Sequence, residues 1–199
     1  MTRTAVDVSA LPSFAFGQRS ILWWATMGMC LIEATAFVLL GAAYIFLKWR
    51  VPDWPPGVAP PELGWATATT ALTLISIIPN ELTKRAAERL DLAKVRLWIS
   101  VCVLFGLLFC VTRAFEFTVL NCWWDTNAYG SIVWTLLGIH TAHVVTDLAD
   151  TIVLAVMFFK APLDANRFVD ASENAFYWYF VVFSWLPIYG LLYISPRFL

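Results

Sequence analysis

Two histidines three residues apart, His140 and His143, followed by Asp147 and Asp150, are the side chains of this sequence best placed to do chemistry. Steps of three, four and three put all four on one face of a helix. They stand in a stretch that opens with Tyr129-Gly130-Ser131 and continues through Gly138-Ile139-His140-Thr141-Ala142-His143-Val144, otherwise apolar enough for hydrocarbon. At membrane depth an ionisable group is costly unless it faces a bundle interior or water. The stripe is therefore expected to face other helices, as a hydrogen-bonded polar core or a proton-linked site. Metal binding is the competing chemistry, because helical bundles build di-metal sites from carboxylates and histidines on facing helices. The Glu-x-x-His pairs that such sites use on two helices are missing here, so no metal is expected.

Other ionisable residues fall at similar depth. Glu33 lies near the middle of the first apolar run, flanked by Cys30, Leu31, Ile32 and Phe37. Nothing on its own helix can pair with it, so it should be protonated or bonded to a neighbour across the bundle. Arg113 and Glu116 are three apart at one end of the third run, the spacing of a local, structural ion pair. Glu173 is expected to open the last helix, where the helix dipole favours a carboxylate in the first turn.

The elements that must position these residues follow from composition. Of 199 residues, 60% are hydrophobic and 14% charged, with 11 Trp and 15 Phe. Several apolar runs are long enough to span a bilayer, so the chain is expected to be all-α and polytopic, a single transmembrane domain over residues 1–199. Five spans are read, at about 21–47, 63–78, 95–117, 129–159 and 173–194. The second is expected to stop at Pro79-Asn80, and Pro52, Pro55, Pro56, Pro60 and Pro61 make the first connection an irregular loop. The leading segment, Met1 to Arg19, lacks the pattern of a cleaved signal, so the first helix is expected to insert directly.

Arg3, Arg19, Lys84, Arg85, Arg89, Lys94, Arg96, Lys160 and Arg167 would share one side of the membrane. Only Lys48, Arg50, Arg113 and Arg197 would stand on the other, which predicts N-inside and C-outside. Trp23, Trp24, Trp49, Trp54, Trp65, Trp123 and Trp124 cluster near helix ends, as interfacial anchors do. Cys30, Cys102, Cys110 and Cys122 form no CxxC pair and read as packed apolar side chains rather than a thiolate site. The absence of a basic patch excludes a nucleic-acid partner.

The ordered set of motifs resembles subunit III of the haem-copper oxygen reductases, the cytochrome c oxidase group. The resemblance is carried by Ile32-Glu33-Ala34 in the first helix, Trp54-Pro55-Pro56 in the loop and Arg113-Ala114-Phe115-Glu116-Phe117 in the third helix. It continues with Tyr129-Gly130-Ser131, Gly138 to Val144, and Glu173 followed by Tyr177-Trp178-Tyr179-Phe180, Trp185 and Tyr189. It runs from about residue 19 to the end. The chain resembles the five-helix forms, seen in quinol oxidases and in proteins linked to nitric oxide reductase, rather than the seven-helix ones. It departs from the pattern at Tyr179 and Val182, where the family has His and Asp, and at Asp147 and Asp150, where small or apolar residues are usual. Aligning the last helix also needs a one-residue gap after Glu173.

The resemblance implies a non-catalytic component of a respiratory oxidase in the bacterial cytoplasmic membrane. Such a subunit packs against subunits I and II, which hold the haem and copper, and carries no cofactor itself beyond bound phospholipid. It supports proton uptake, with Glu33, His140, His143, Asp147, Asp150 and Glu173 as lipid- or proton-linked candidates. The competing readings are an accessory subunit of a nitric oxide reductase, a small proton-coupled carrier and an independent di-metal membrane enzyme.

Overall fold

The computed structural model describes residues 14–160 and 164–198, and these are helical apart from the connecting loops. Arg3, most of the leading segment and the tip of the last loop lie outside the described residues. After a short 3₁₀ turn at Gly17–Arg19 come α1 (Ile21–Arg50), α2 (Leu63–Ile75), α3 (Ile77–Glu88), α4 (Leu92–Thr118) and α5 (Ala128–Lys160). Then follow α6 (Ala165–Tyr189), a π-helical turn (Gly190–Ile194) and a terminal turn, α7 (Ser195–Phe198). Four helical segments are long and apolar enough to cross a membrane: α1, α4, α5, and α6 taken through to Phe198.

The expected second span is different in form. Its helix does not stop at Pro79-Asn80 but bends at Ser76 and runs on as α3 to Glu88. Pro79 has no N–H to give the Ile75 carbonyl, which bends a helix without ending it. The turn survives because Ser76 N–H still reaches Leu72 O at 3.0 Å and Asn80 N–H reaches Ser76 O at 3.2 Å. Ser76 Oγ also donates to Thr73 O at 2.6 Å.

The last helix begins earlier than expected, at Ala165, with the Asp164 side chain capping Asn166 N–H. Glu173 therefore sits in the third turn, and the helix-dipole account of it fails. Asp91 caps α4 by accepting from Lys94 N–H at 3.2 Å, and its hydrogen bond to the Lys94 side chain holds its carboxyl below the ordinary range.

The bent α2–α3 helix, α4, α5 and α6 pack on one another, while α1 lies against α5 and α6. Apolar side chains form three clusters along the bundle. One, around Phe158, Phe168, Val95 and Ile99, closes the end where α5 finishes and α6 begins. The second, around Phe109, Val144, Trp178 and Val181, fills the middle. The third, around Tyr44, Tyr129, Leu136, Trp185 and Leu192, fills the opposite end. Of α1 only Cys30, Gly41 and Tyr44 are buried, and Ile32 and Trp49 stand 74% and 83% exposed. So broad an apolar face belongs in lipid or against another protein.

The proline-rich loop is fixed by Trp54. Its ring packs edge-on against Tyr44 and Tyr129, and its Nε1–H donates to the Tyr44 hydroxyl at 3.0 Å.

Two backbone positions predict mutational effects of opposite sign. Leu90 has φ +54° at the end of α3, where Leu90 N–H and Asp91 N–H bond Ala87 O and Ala86 O. This is a Schellman motif that favours glycine, so Leu90→Gly should stabilise by about 1 kcal/mol. At Gly130 a Cβ would come within 2.2 Å of the Trp123 backbone oxygen, so Gly130→Ala must push the α4–α5 loop away. That should cost roughly 1–3 kcal/mol. At Gly138 a Cβ meets nothing within 4 Å, which makes Gly138→Ala the control. Thermal unfolding of the purified variants checks all three.

Candidate functional site

The polar residues at membrane depth form three sets, two of them tied across helices by hydrogen bonds although Glu116 Oε2 is left without a partner, and a third in which Asp147 Oδ1 and Glu173 Oε2 have none. In the first bonded set, Glu33 of α1 meets side chains from two other helices. Its Oε2 accepts from the Tyr177 hydroxyl of α6 at 2.9 Å, and its Oε1 lies 3.3 Å from His143 Nε2 of α5. His143 Nδ1 lies 2.7 Å from Ile139 O, an acceptor only, so Nδ1 carries a hydrogen. The Glu33–His143 contact then needs one shared proton, either on the carboxyl facing a neutral ring or on the ring facing a carboxylate. The two side chains are 19% and 17% exposed, close to the surface that α1 shares with α5. Phe37 packs on His143 with ring centroids 5.1 Å apart.

The second bonded set lies toward the opposite end and is more deeply buried. Arg113 and Glu116 of α4 are 1% and 2% exposed, with Nη1 and Oε1 3.0 Å apart. The Arg113 guanidinium lies over the Trp185 ring at 4.1 Å and the Phe109 ring at 4.9 Å. Such stacking suits a planar, weakly hydrated cation. Arg113 Nη2 also reaches His140 Nδ1 at 3.5 Å, while His140 Nε2 lies 3.0 Å from Val181 O. The carbonyl requires a hydrogen on Nε2, so Nδ1 is left to accept from arginine and the ring is neutral. Tyr193 donates to Glu116 Oε1. Its ring is delivered there by the π-helical turn, a feature often found where a helix must re-aim a side chain.

The third set surrounds Asp147 of α5. Asp147 Oδ1 and Glu173 Oε2 are buried with no hydrogen-bond partner. Beside them Asn174 donates to Thr151 Oγ1 at 2.9 Å, Asn80 to Ala175 O at 2.8 Å, and Trp178 Nε1 to Ser76 Oγ at 2.9 Å. Ser76, at the bend of α2–α3, is thus held by α6.

The four-residue stripe on α5 therefore divides. His140 and Asp147 are buried, His143 is half-buried and Asp150 is exposed, contrary to the expectation that all four face other helices. At 100° per residue the stripe spans on the order of 80° of the helix. Asp150 is at one edge of that arc and emerges into a groove. His140 and His143 serve different sets. Among the described residues, no group of three or more His, Cys, Asp and Glu could hold a metal ion.

Sequence reasoning missed the tyrosines. Tyr177 and Tyr193 supply hydroxyls to Glu33 and Glu116, and Tyr179, which stands where the resemblance expects His, donates to Glu81 on α3.

A bundle of membrane-spanning helices that joins its helices through buried carboxylates defines a class, the multi-pass membrane proteins. The family follows from comparison. The profile of cytochrome c oxidase subunit III matches residues 86–196, more than half of the chain. The chain belongs to that family. It is similar to cytochrome c oxidase subunit 3 of Thermostichus vulcanus, 26% identical over 169 residues and 83% of each chain. It is 27% identical to cytochrome c oxidase subunit 3 of Corynebacterium diphtheriae over 144 residues, 71% of this chain and 70% of that one. The subunit of Alkalihalophilus pseudofirmus is 24% identical over 176 residues, 86% of this chain and 84% of that one.

The buried ion pair yields a prediction. Arg113→Met strands the Glu116 carboxylate and should destabilise by about 3–5 kcal/mol, while Arg113→Met/Glu116→Met should recover most of that loss. Melting curves of the two variants in mild detergent test the coupling. Equal losses would mean that the two residues do not act as a pair.

Proposed function

We propose that this chain is the non-catalytic subunit III of a respiratory haem-copper oxidase in a bacterial cytoplasmic membrane. In this reading it is one transmembrane domain with the N-terminus inside and the C-terminus outside. It packs against subunits I and II, which reduce oxygen and move protons, and it contributes stability, lipid binding and support for proton uptake. The observation that carries the proposal is the family match, with relatives aligned over about four-fifths of the chain. Those relatives are named as cytochrome c oxidase subunits, which favours this reading over a nitric oxide reductase subunit or a carrier.

The physical features fit the role. The exposed apolar face of α1 needs lipid or a partner to cover it. Arg113, Glu116 and His140 form a rigid internal tie, suited to support rather than turnover. Glu33 is held by Tyr177 and His143 at the edge of the bundle, where one proton can be kept between two groups. The resemblance places a reactive buried carboxyl at this position, beside bound lipid. Copurification of subunits I and II with the tagged chain in mild detergent tests the assignment. Recovery of a stable chain without them would count against it.

Glu33 gives a sharper test. A hydrophobic carbodiimide needs a protonated acid in an apolar setting, so it should label Glu33 before Glu62, which stands in the loop at the start of α2. Glu33→Gln should remove that label while the complex still assembles, because an amide preserves the hydrogen bonds of a neutral acid. Preferential labelling at Glu62 would contradict the role given to Glu33.

A further inference from the structure

Asp147 forms the wall between two spaces. On one side is a small cavity of about 20 Å³, bounded also by Ser76, Thr83, Cys102, Thr151 and Asn174. That is room for one water, which needs roughly 10–15 Å³. The lining offers such a water several oxygen and nitrogen partners, and Oδ1 of Asp147, a residue only 4% exposed, has none of its own. On the other side is a groove of about 360 Å³ between α1, α5 and α6, where Asp147 and Asn174 appear again with Asp150, Asp170, Glu173 and Tyr177. Glu173 Oε2, buried on this wall, is also unpartnered.

The groove has a direction. Asp170 and Glu173 belong to the early turns of α6, and Tyr177 follows one turn further in. Counting from the start of α1, the end of α5 and the start of α6, Glu33, Asp147 and Tyr177 all lie about 18–20 Å deep at 1.5 Å per residue. Tyr177 lines the groove, and its hydroxyl donates to Glu33. The groove therefore leads from one membrane end to the level of the Glu33–His143 pair.

We infer that Asp147 with a water in the small cavity is a proton-binding site, filled from the membrane end through the acid-lined groove. The titratable groups facing Asp147 are Asp150 on its own helix, Glu173 and Tyr177 on α6, and Cys102 on α4. The α1 wall brings Thr26 and Met29, and the α3 wall Asn80 and Thr83. No Lys or Arg lines either space among the described residues. A buried carboxylate with neither a cation nor a donor is costly, whereas a carboxyl that has taken a proton can donate to the cavity water. In the loading step an O–H bond of a hydrated proton in the groove breaks and one forms on Asp147. Water is left behind and the carboxylate charge is lost. Asp150 and Asp170, at the open side, raise the local concentration of cations and hence of protons.

This inference deepens the proton-uptake reading above and rests on it. The test is infrared difference spectroscopy of the assembled complex, with wild type carrying isotope-labelled aspartate to identify the band. A protonated carboxyl stretch is expected, shifted by the label and by D₂O, and lost in Asp147→Asn. After rapid transfer to D₂O the band should shift within the mixing time. Thr26→Trp, which fills the groove from α1, should slow that shift by at least about tenfold. An aspartate band unchanged in Asp147→Asn, or no such band in labelled wild type, overturns the site. Exchange as fast in Thr26→Trp as in wild type overturns the groove as its entry. If the band behaves as expected but Asp147→Asn leaves the complex's rate of proton uptake untouched, the site stands and the proton-uptake reading falls.

Discussion

Hydrocarbon withholds water from polar groups, and almost every specific contact in this bundle answers that constraint. A membrane helix satisfies its own backbone, but a carboxylate, guanidinium or imidazole must find its partner on another helix or within a turn of its own. Here the partnered groups also join the bundle. Glu33 ties α1 to α5 and α6, Ser76 ties the bend of α2–α3 to α6, and Glu116 ties α4 to the π-helical turn. Apolar clusters fill the space between, but lipid tails are as apolar as leucine, so these few polar ties and close packing must fix which helix lies beside which.

The architecture was legible where apolar length alone decides it. Helices α1, α4 and α5 fall close to their expected positions because each is an uninterrupted run between polar ends. The second span was misjudged because proline reads as a stop, whereas its missing N–H frees only the Ile75 carbonyl and the flanking bonds persist. The start of α6 was placed too late because Asn166, Arg167, Asp170 and Ser172 interrupt the apolar signal. The cap at Asp164 was the better clue.

The candidate site was legible as a set of residue types and not as a set of contacts. That Glu33 needs a partner off its own helix followed from its neighbours; that the partners are His143 and Tyr177 is a tertiary fact with no local signature. Helical spacing placed His140, His143, Asp147 and Asp150 on one arc, yet an arc of this width crosses from core to surface, and only packing tells where. The π-helical turn that aims Tyr193 at Glu116 has no sequence mark beyond nearby Pro187 and Gly190.

The buried sets differ in a way that separates support from chemistry. The Arg113 set contains its own cation, is nearly free of solvent contact, and has Arg113 stacked on Phe109 and Trp185. Moving a proton there would leave a buried charge unbalanced, so the set is suited to holding one state. The Glu33–His143 pair and Asp147 lie on the α1 side, beside a groove that Asp150 and Asp170 line and that, among the described residues, no Lys or Arg lines. In the proton-uptake reading proposed above, their charge is balanced by a proton that can arrive and leave. In that reading one polar core is locked by arginine and the other balanced by protons, and His140 and His143, three residues apart on α5, belong one to each.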